Sequence, residues 1–287
     1  MLVGIAISAA LGPQAGSAEA RGPHGSVHFF TLDAPALHDS HRHVRVYLPP
    51  SYDSAAAATR RYPAVYALHG WPGSDGNWVK KGHAADTLDR MIEHGRIPEL
   101  IAIFPDGRGR GMLGRSIYMN SRDGSSQVAR FVGEDLVAWA DSTFRTRADR
   151  AHRVILGLSD GGTGAFNLAM QYPERFGAVG AHSSDFLLEK EMGMHGMVGS
   201  DSEATVTYAE HSPLLSASAK VARLRSMTLY FDCGLKDPAL GENRAFHALL
   251  DSLGVPHTYR EFPGSHSWHY WSAHLPDALE VLTAGMR

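Results

Sequence analysis

Ser159 lies in Gly157-Leu158-Ser159-Asp160-Gly161-Gly162, a G-x-S-x-G arrangement. Such a serine can do chemistry only where the chain turns sharply, so that the hydroxyl stands clear of its neighbours. Glycines on both sides remove the bulk that would keep strand and helix apart. Both flanks are present: Arg153–Leu158 is a short apolar run that reads as a strand, and Gly161–Tyr172 reads as a helix rich in Ala, Phe and Leu. The chemistry would be nucleophilic attack on an acyl carbonyl, because a helix N-terminus behind the serine favours developing negative charge. The competing reading is a Gly-rich turn with an incidental serine.

A serine hydroxyl needs a base to take its proton and a third group to hold that base. His266 stands in Phe262-Pro263-Gly264-Ser265-His266-Ser267-Trp268, a loop between a predicted strand and the final helix. His269 competes, but it falls inside that helix. Leu229-Tyr230-Phe231-Asp232-Cys233-Gly234-Leu235-Lys236-Asp237-Pro238 offers two acids. Asp237, out in the loop beyond Gly234, can reach an imidazole and is the expected acid. Asp232, ending the strand, is expected to serve a turn or a hydrogen bond. Two N–H donors must meet the oxyanion. Asp160 supplies one from its backbone. The other is expected from His69-Gly70-Trp71-Pro72-Gly73-Ser74, at Trp71, since Pro72 has no N–H. The Asp160 carboxylate falls in the first helical turn, where it is expected to be structural, worth about 0.3–1 kcal/mol through the helix dipole.

Holding these loops together takes a sheet. Val27–Leu32, His43–Leu48, Tyr62–Leu68, Glu99–Phe104, Arg153–Leu158, Phe176–His182, Met227–Asp232 and His257–Phe262 read as strands. Asn77–His94, Val128–Phe144, Gly161–Tyr172, Asn243–Leu253 and Ser267–Met286 read as helices between them. Continuous apolar strands alternating with helices imply an α/β fold with a mostly parallel central sheet covered on both faces. Residues 21–287 read as one domain. Residues 186–222 lack periodicity and read as an insertion or partial lid. Gly107–Arg115, rich in Gly and Arg, suits a loop over a site or a plain solvated loop.

The 287 residues are 44% hydrophobic and 20% charged, with a formal net charge of -3, so nucleic acid and anionic membranes are not expected partners. No apolar run approaches the roughly 18 residues of a membrane span. The lone Cys233 cannot form an internal disulfide and reads as an unreactive strand-end residue. Leu2–Leu11 is apolar, and Ala18-Glu19-Ala20 resembles a signal-peptidase site. Residues 1–20 therefore read as a signal peptide of a periplasmic or secreted protein, although no basic residue precedes Arg21; ordinary N-terminal chain of a cytoplasmic protein is the alternative. His38, His41 and His43 read as a solvated turn in preference to a metal site. Trp71, Trp78, Trp268 and Trp271 suit an aromatic wall or core packing equally. No metal or organic cofactor is needed for the chemistry.

Taken together, the motifs resemble the esterase D-like branch of the α/β-hydrolases, which includes feruloyl and acetyl-xylan esterases, S-formylglutathione hydrolases and mycolyltransferases. The resemblance runs from about residue 26 to the end. It rests on Leu68-His69-Gly70 with Gly73-Ser74 and Trp78, and on the elbow at Gly157–Gly162. Tyr172-Pro173-Glu174-Arg175-Phe176-Gly177-Ala178, Cys233-Gly234 with Asp237, and His266-Ser267-Trp268 with Trp271 extend it. It implies acyl transfer from a small-molecule or carbohydrate-linked ester, with Ser159, Asp237 and His266 as the triad. It also implies that the loop bearing Asn120 lines the substrate cleft, although Asn120 reads as well as a plain turn residue. Hydrolysis is the main expectation; acyl transfer to an alcohol by the same triad and S-formylglutathione hydrolysis are alternatives, and a non-catalytic binding protein on the same scaffold is a more distant one. One departure stands out. The family often has Met after the nucleophile, and this chain has Asp160, which disfavours acidic or very hydrophobic substrates.

Overall fold

The computed structural model describes residues 24–110, 114–189 and 194–286. The expected signal peptide lies outside them. The strands are β1 (Ser26–Ala34), β2 (Asp39–Leu48), β3 (Ala64–Leu68), β4 (Ile101–Pro105), β5 (Arg153–Leu158), β6 (Ala178–His182), β7 (Thr228–Gly234) and β8 (Thr258–Phe262). They form one sheet in the order β1-β2-β4-β3-β5-β6-β7-β8. β2 pairs antiparallel with both of its neighbours, and every other pairing is parallel.

Alternation along the strands sends side chains to two cores. Tyr66 and Ile155 face one, together with helix Asp160–Gln171; Val65, Leu156 and Leu158 face the other, beneath helix Trp268–Thr283. Every residue of β3, β4, β5 and β6 is buried, as strands covered on both faces require.

The strand order decides where chemistry can occur. The chain runs outward from β3 to β4, then crosses back to β5 on the other side of β3. Loops leaving the carboxyl ends of β3 and β5 thus depart in opposite directions and open a crevice between them, where ligands bind in open α/β sheets. Leu68 pairs with Gly157 across this boundary, which brings His69-Gly70 and Ser159 to one edge.

One expectation about an element is corrected. Asn77–His94 is two helices, Asn77–Lys80 and Ala84–Glu93. They break at Gly82-His83, where His83 takes a left-handed φ of 48°; the close approach to the Trp78 carbonyl, which would lie 2.6 Å from a Cβ, suits glycine at 82. Residues 186–222 are largely helical where described: His195–Val198, Asp201–His211, Pro213–Ser216 and Val221–Arg225. Ser200 and Glu203 form a capping box at the start of the longest of these. No helix among the described residues is long and apolar enough to cross a membrane.

Candidate active site

Ser159 follows β5 and precedes helix Asp160–Gln171, with φ 52° and ψ -130°. That conformation is strained for a residue with a Cβ, and it persists because the surroundings over-determine it. The Ser159 N–H donates to the His182 carbonyl oxygen at 2.9 Å, and the Ser159 carbonyl accepts from Gly162 N–H at 2.9 Å. A Cβ at Gly157 would sit 2.2 Å from the Gly161 carbonyl oxygen, and one at Gly161 would sit 2.5 Å from that of His69. Only glycine allows the strand, the helix and the loop after β3 to meet here.

The three residues expected to act together are together. Ser159 Oγ lies 3.0 Å from His266 Nε2, and His266 Nδ1 lies 3.1 Å from both carboxylate oxygens of Asp237. Asp237 follows β7 and His266 follows β8, so two adjacent parallel strands deliver acid and base to the same edge as Ser159. The Asp237 side chain is fully buried, whereas that of His266 is 31% exposed. Burial would raise the Asp237 pKa, but bonds from His266 and the Ala239 N–H outweigh it and hold the carboxyl below its usual range. Burial would lower the His266 pKa, but Asp237 outweighs that and holds the imidazole above the ordinary histidine value. A carboxylate can only accept, so neutral His266 carries its proton on Nδ1 and turns a bare Nε2 toward the serine.

Asp232 does the other job expected of it. Its carboxylate accepts from Tyr230 at 2.8 Å and Tyr270 at 2.9 Å and contacts His182 Nδ1 at 2.8 Å, entirely inside the protein. His269 is the second residue of helix Trp268–Thr283 and is exposed. Cys233 is fully buried, and burial pushes its thiol pKa far up, so it stays an inert thiol.

A cavity of about 260 Å³ opens beside Ser159, lined in part by Trp71, Lys81, His266, Trp268 and Trp271. Trp78 is core instead, 1% exposed, with its indole N–H on the Leu68 carbonyl oxygen at 3.0 Å. Trp71, in the loop after β3, lines the cavity with Ser159, and Asp160 directly follows the serine; their backbone N–H groups were expected to meet an oxyanion. Asp160 opens its helix, where a backbone N–H has no intrahelical acceptor. Gly70 brings the first loop close: a Cβ there would be 3.0 Å from Ser159 Cβ. Asn120 is not among the residues lining this cavity. Its Oδ1 accepts the Arg130 N–H at 3.1 Å, at the end of helix Val128–Arg130.

One residue at the site went unread in the sequence. Arg115 holds Asp160 with two bonds of 2.7 Å, from Nε to Oδ2 and from Nη2 to Oδ1, and its guanidinium lies 5.1 Å from the centroid of the Trp71 ring. Both partners are buried, Arg115 at 8% and Asp160 at 5% exposed. The Asp160 carboxylate is therefore paired with a cation, which offsets its expected bias against acidic substrates. A buried carboxylate is costly without a paired cation, and the Arg-rich loop after β4 supplies that cation.

His43 has carboxylate neighbours in Asp75 and Asp106. Asp75 pairs with Arg45 at 3.0 Å, and Asp106 with Arg108 at 2.6 Å and Arg42 at 3.4 Å, so arginines already supply the positive charge there.

This fold, with a serine at its elbow and a histidine and carboxylate on the following loops, defines an α/β-hydrolase. The chain belongs to the Esterase family, which matches residues 35–282. An acetyl esterase of Caldicellulosiruptor saccharolyticus is 23% identical over 240 residues, covering 76% of this chain and 82% of that protein. An endo-1,4-beta-xylanase/feruloyl esterase of Xylanibacter ruminicola is 28% identical over 148 residues, 51% of this chain. This chain matches only 20% of the length of that larger protein. Among solved structures, a ferulic acid esterase superposes with a TM-score of 0.80 at 29% identity, covering 91% of this chain and 98% of that one.

Proposed function

We propose that the protein hydrolyses small carboxylic esters through an acyl-enzyme on Ser159. The observation that carries this reading is the continuous contact from Ser159 Oγ to His266 Nε2 and from His266 Nδ1 to Asp237. Ser159 Oγ attacks the ester carbonyl carbon while His266 Nε2 takes its proton. The carbonyl oxygen becomes an oxyanion facing the N–H groups of Trp71 and Asp160, each worth roughly 10²–10³ in rate. The C–O bond to the leaving alcohol breaks as His266 returns the proton to that oxygen. Water then attacks the acyl-enzyme in the same way, giving the carboxylic acid and free Ser159. Asp237 keeps the imidazole oriented and stabilises its cationic form.

The cavity speaks for a small acyl or aryl group. Its 260 Å³ falls below the roughly 300–1,000 Å³ of pockets that enclose drug-sized ligands. Trp71, Trp268 and Trp271 give it flat apolar walls. The test is a turnover screen with p-nitrophenyl esters of increasing acyl length, methyl ferulate and acetylated xylan. Acetyl or feruloyl esters should lead, and kcat/KM for the decanoyl ester should be about tenfold lower or less. A maximum at decanoyl or longer would overturn the small-acyl reading. Product analysis with added alcohol acceptors separates hydrolysis from acyl transfer.

The pH dependence has a definite sign. Only neutral His266 can accept the serine proton, so kcat/KM rises with pH through its pKa. Since Asp237 holds that pKa above the ordinary value, the acidic limb should have its midpoint above about pH 6.5. Asp237→Asn should move the midpoint downward. A wild-type midpoint below 6 would contradict the coupling of His266 to Asp237.

A further inference from the structure

The loop that carries Arg115 is built against its own conformational preference. Ile117 and Tyr118 are consecutive residues at φ 47° and 53°, a left-handed region that a β-branched isoleucine avoids. Such strain persists where neighbouring contacts hold it. Ser116 Oγ donates to the Gly107 carbonyl at 2.6 Å and accepts the Tyr118 N–H at 3.0 Å. The Tyr118 hydroxyl donates to the His69 carbonyl at 2.9 Å, at the root of the loop that carries Trp71. The ring of Tyr118 fits only because two neighbours lack side chains: a Cβ would come within 2.0 Å of it at Gly107 and within 2.6 Å at Gly164. The loop is thus fastened to the strand β3 exit through Tyr118 and to the nucleophile helix through Arg115.

We infer that Arg115 is a positioning residue for the oxyanion site: it binds the Asp160 carboxylate bidentately, packs its guanidinium against the Trp71 ring, and cancels the charge that Asp160 would otherwise set against the developing oxyanion. The inference rests on the proposed ester hydrolysis at Ser159. Two consequences follow from simple electrostatics. A bare carboxylate at Asp160 opposes negative charge on the substrate oxygen and favours the protonated imidazole. Removing the Asp160 charge does the reverse to the imidazole. Besides these two, His266 experiences the Asp237 carboxylate from the loop after β7 and Asp185 from the segment after β6, while the Lys81 side chain lines the same cavity. The substitutions below leave those three unchanged.

The test uses the full-length enzyme with p-nitrophenyl acetate and the variants Arg115→Gln, Asp160→Asn and the double variant. R115Q should lower kcat by about 10²-fold, the scale of a lost oxyanion donor, with KM within about threefold. Its acidic limb should move up by about half a pH unit or more, and that of D160N should move down. R115Q/D160N should bring the limb back to the wild-type midpoint and recover kcat at least about tenfold over R115Q. If R115Q is not recovered folded, the downward limb of D160N and its return in the double variant carry the test. R115Q activity within threefold of wild type, or limbs that do not move in opposite directions, would overturn the inference. So would a double variant no better than R115Q, which is the result for an arginine that only packs. A wild-type protein without esterase activity would instead refute the hydrolysis reading and leave the clamp unassigned to catalysis.

Discussion

Ser159→Ala is expected to lower kcat for p-nitrophenyl acetate by about 10⁴-fold or more, the scale of losing a nucleophile from a triad. The substitution keeps a Cβ, so the elbow geometry at φ 52° costs no more than before. The backbone bonds at this position, to His182 and Gly162, involve no side-chain atom. Folded protein with a normal unfolding transition should therefore be recovered, which separates lost chemistry from lost structure. Residual activity should reflect only substrate binding and the N–H groups of Trp71 and Asp160. Wild-type turnover in S159A would mean that the hydroxyl takes no part.

The second large effect is at Asp237. Asp237→Asn should cost about 10⁴-fold in kcat, because an amide can donate to His266 Nδ1 and so favours the tautomer with its proton on Nε2, facing the serine. Asp232 provides the contrast. Asp232→Asn leaves the His266 contacts untouched but disturbs three buried partners, Tyr230, Tyr270 and His182. Its damage should appear as lost thermal stability, on the order of 1–3 kcal/mol for a disturbed buried polar group, with most of kcat retained in the folded fraction. Were D232N the catalytic failure and D237N active, the acid would have been assigned to the wrong loop.

Much of this was legible because it is local. The elbow needs a strand, three glycines and a helix within some twenty residues, and each leaves a compositional mark. Asp237 and His266 were legible because a loop residue after a strand end can swing toward a neighbour, while Asp232, within β7, cannot leave its strand. The break at Gly82-His83 was hidden because the apolar spacing continues through it; the left-handed φ of His83 reveals it. The segment 186–222 was hidden for the opposite reason. Helix Asp201–His211 has little amphipathic contrast, with Val206 exposed at 51% and Tyr208 and Thr207 buried, so sequence periodicity is weak. Arg115 was hidden because its partner is 45 residues away in sequence, and an arginine in an Arg-rich loop reads as solvated until the fold closes over it.

The most direct test of the central claim is labelling of the folded protein with a fluorophosphonate, followed by intact-mass measurement and peptide mapping. Fluorophosphonates phosphonylate only a serine whose hydroxyl is activated by a neighbouring base. The expected result is one equivalent per chain, on the peptide containing Ser159, with labelling lost in S159A and strongly slowed in D237N. Absence of label from folded, wild-type protein, or label on a different residue, would contradict a nucleophilic role for Ser159.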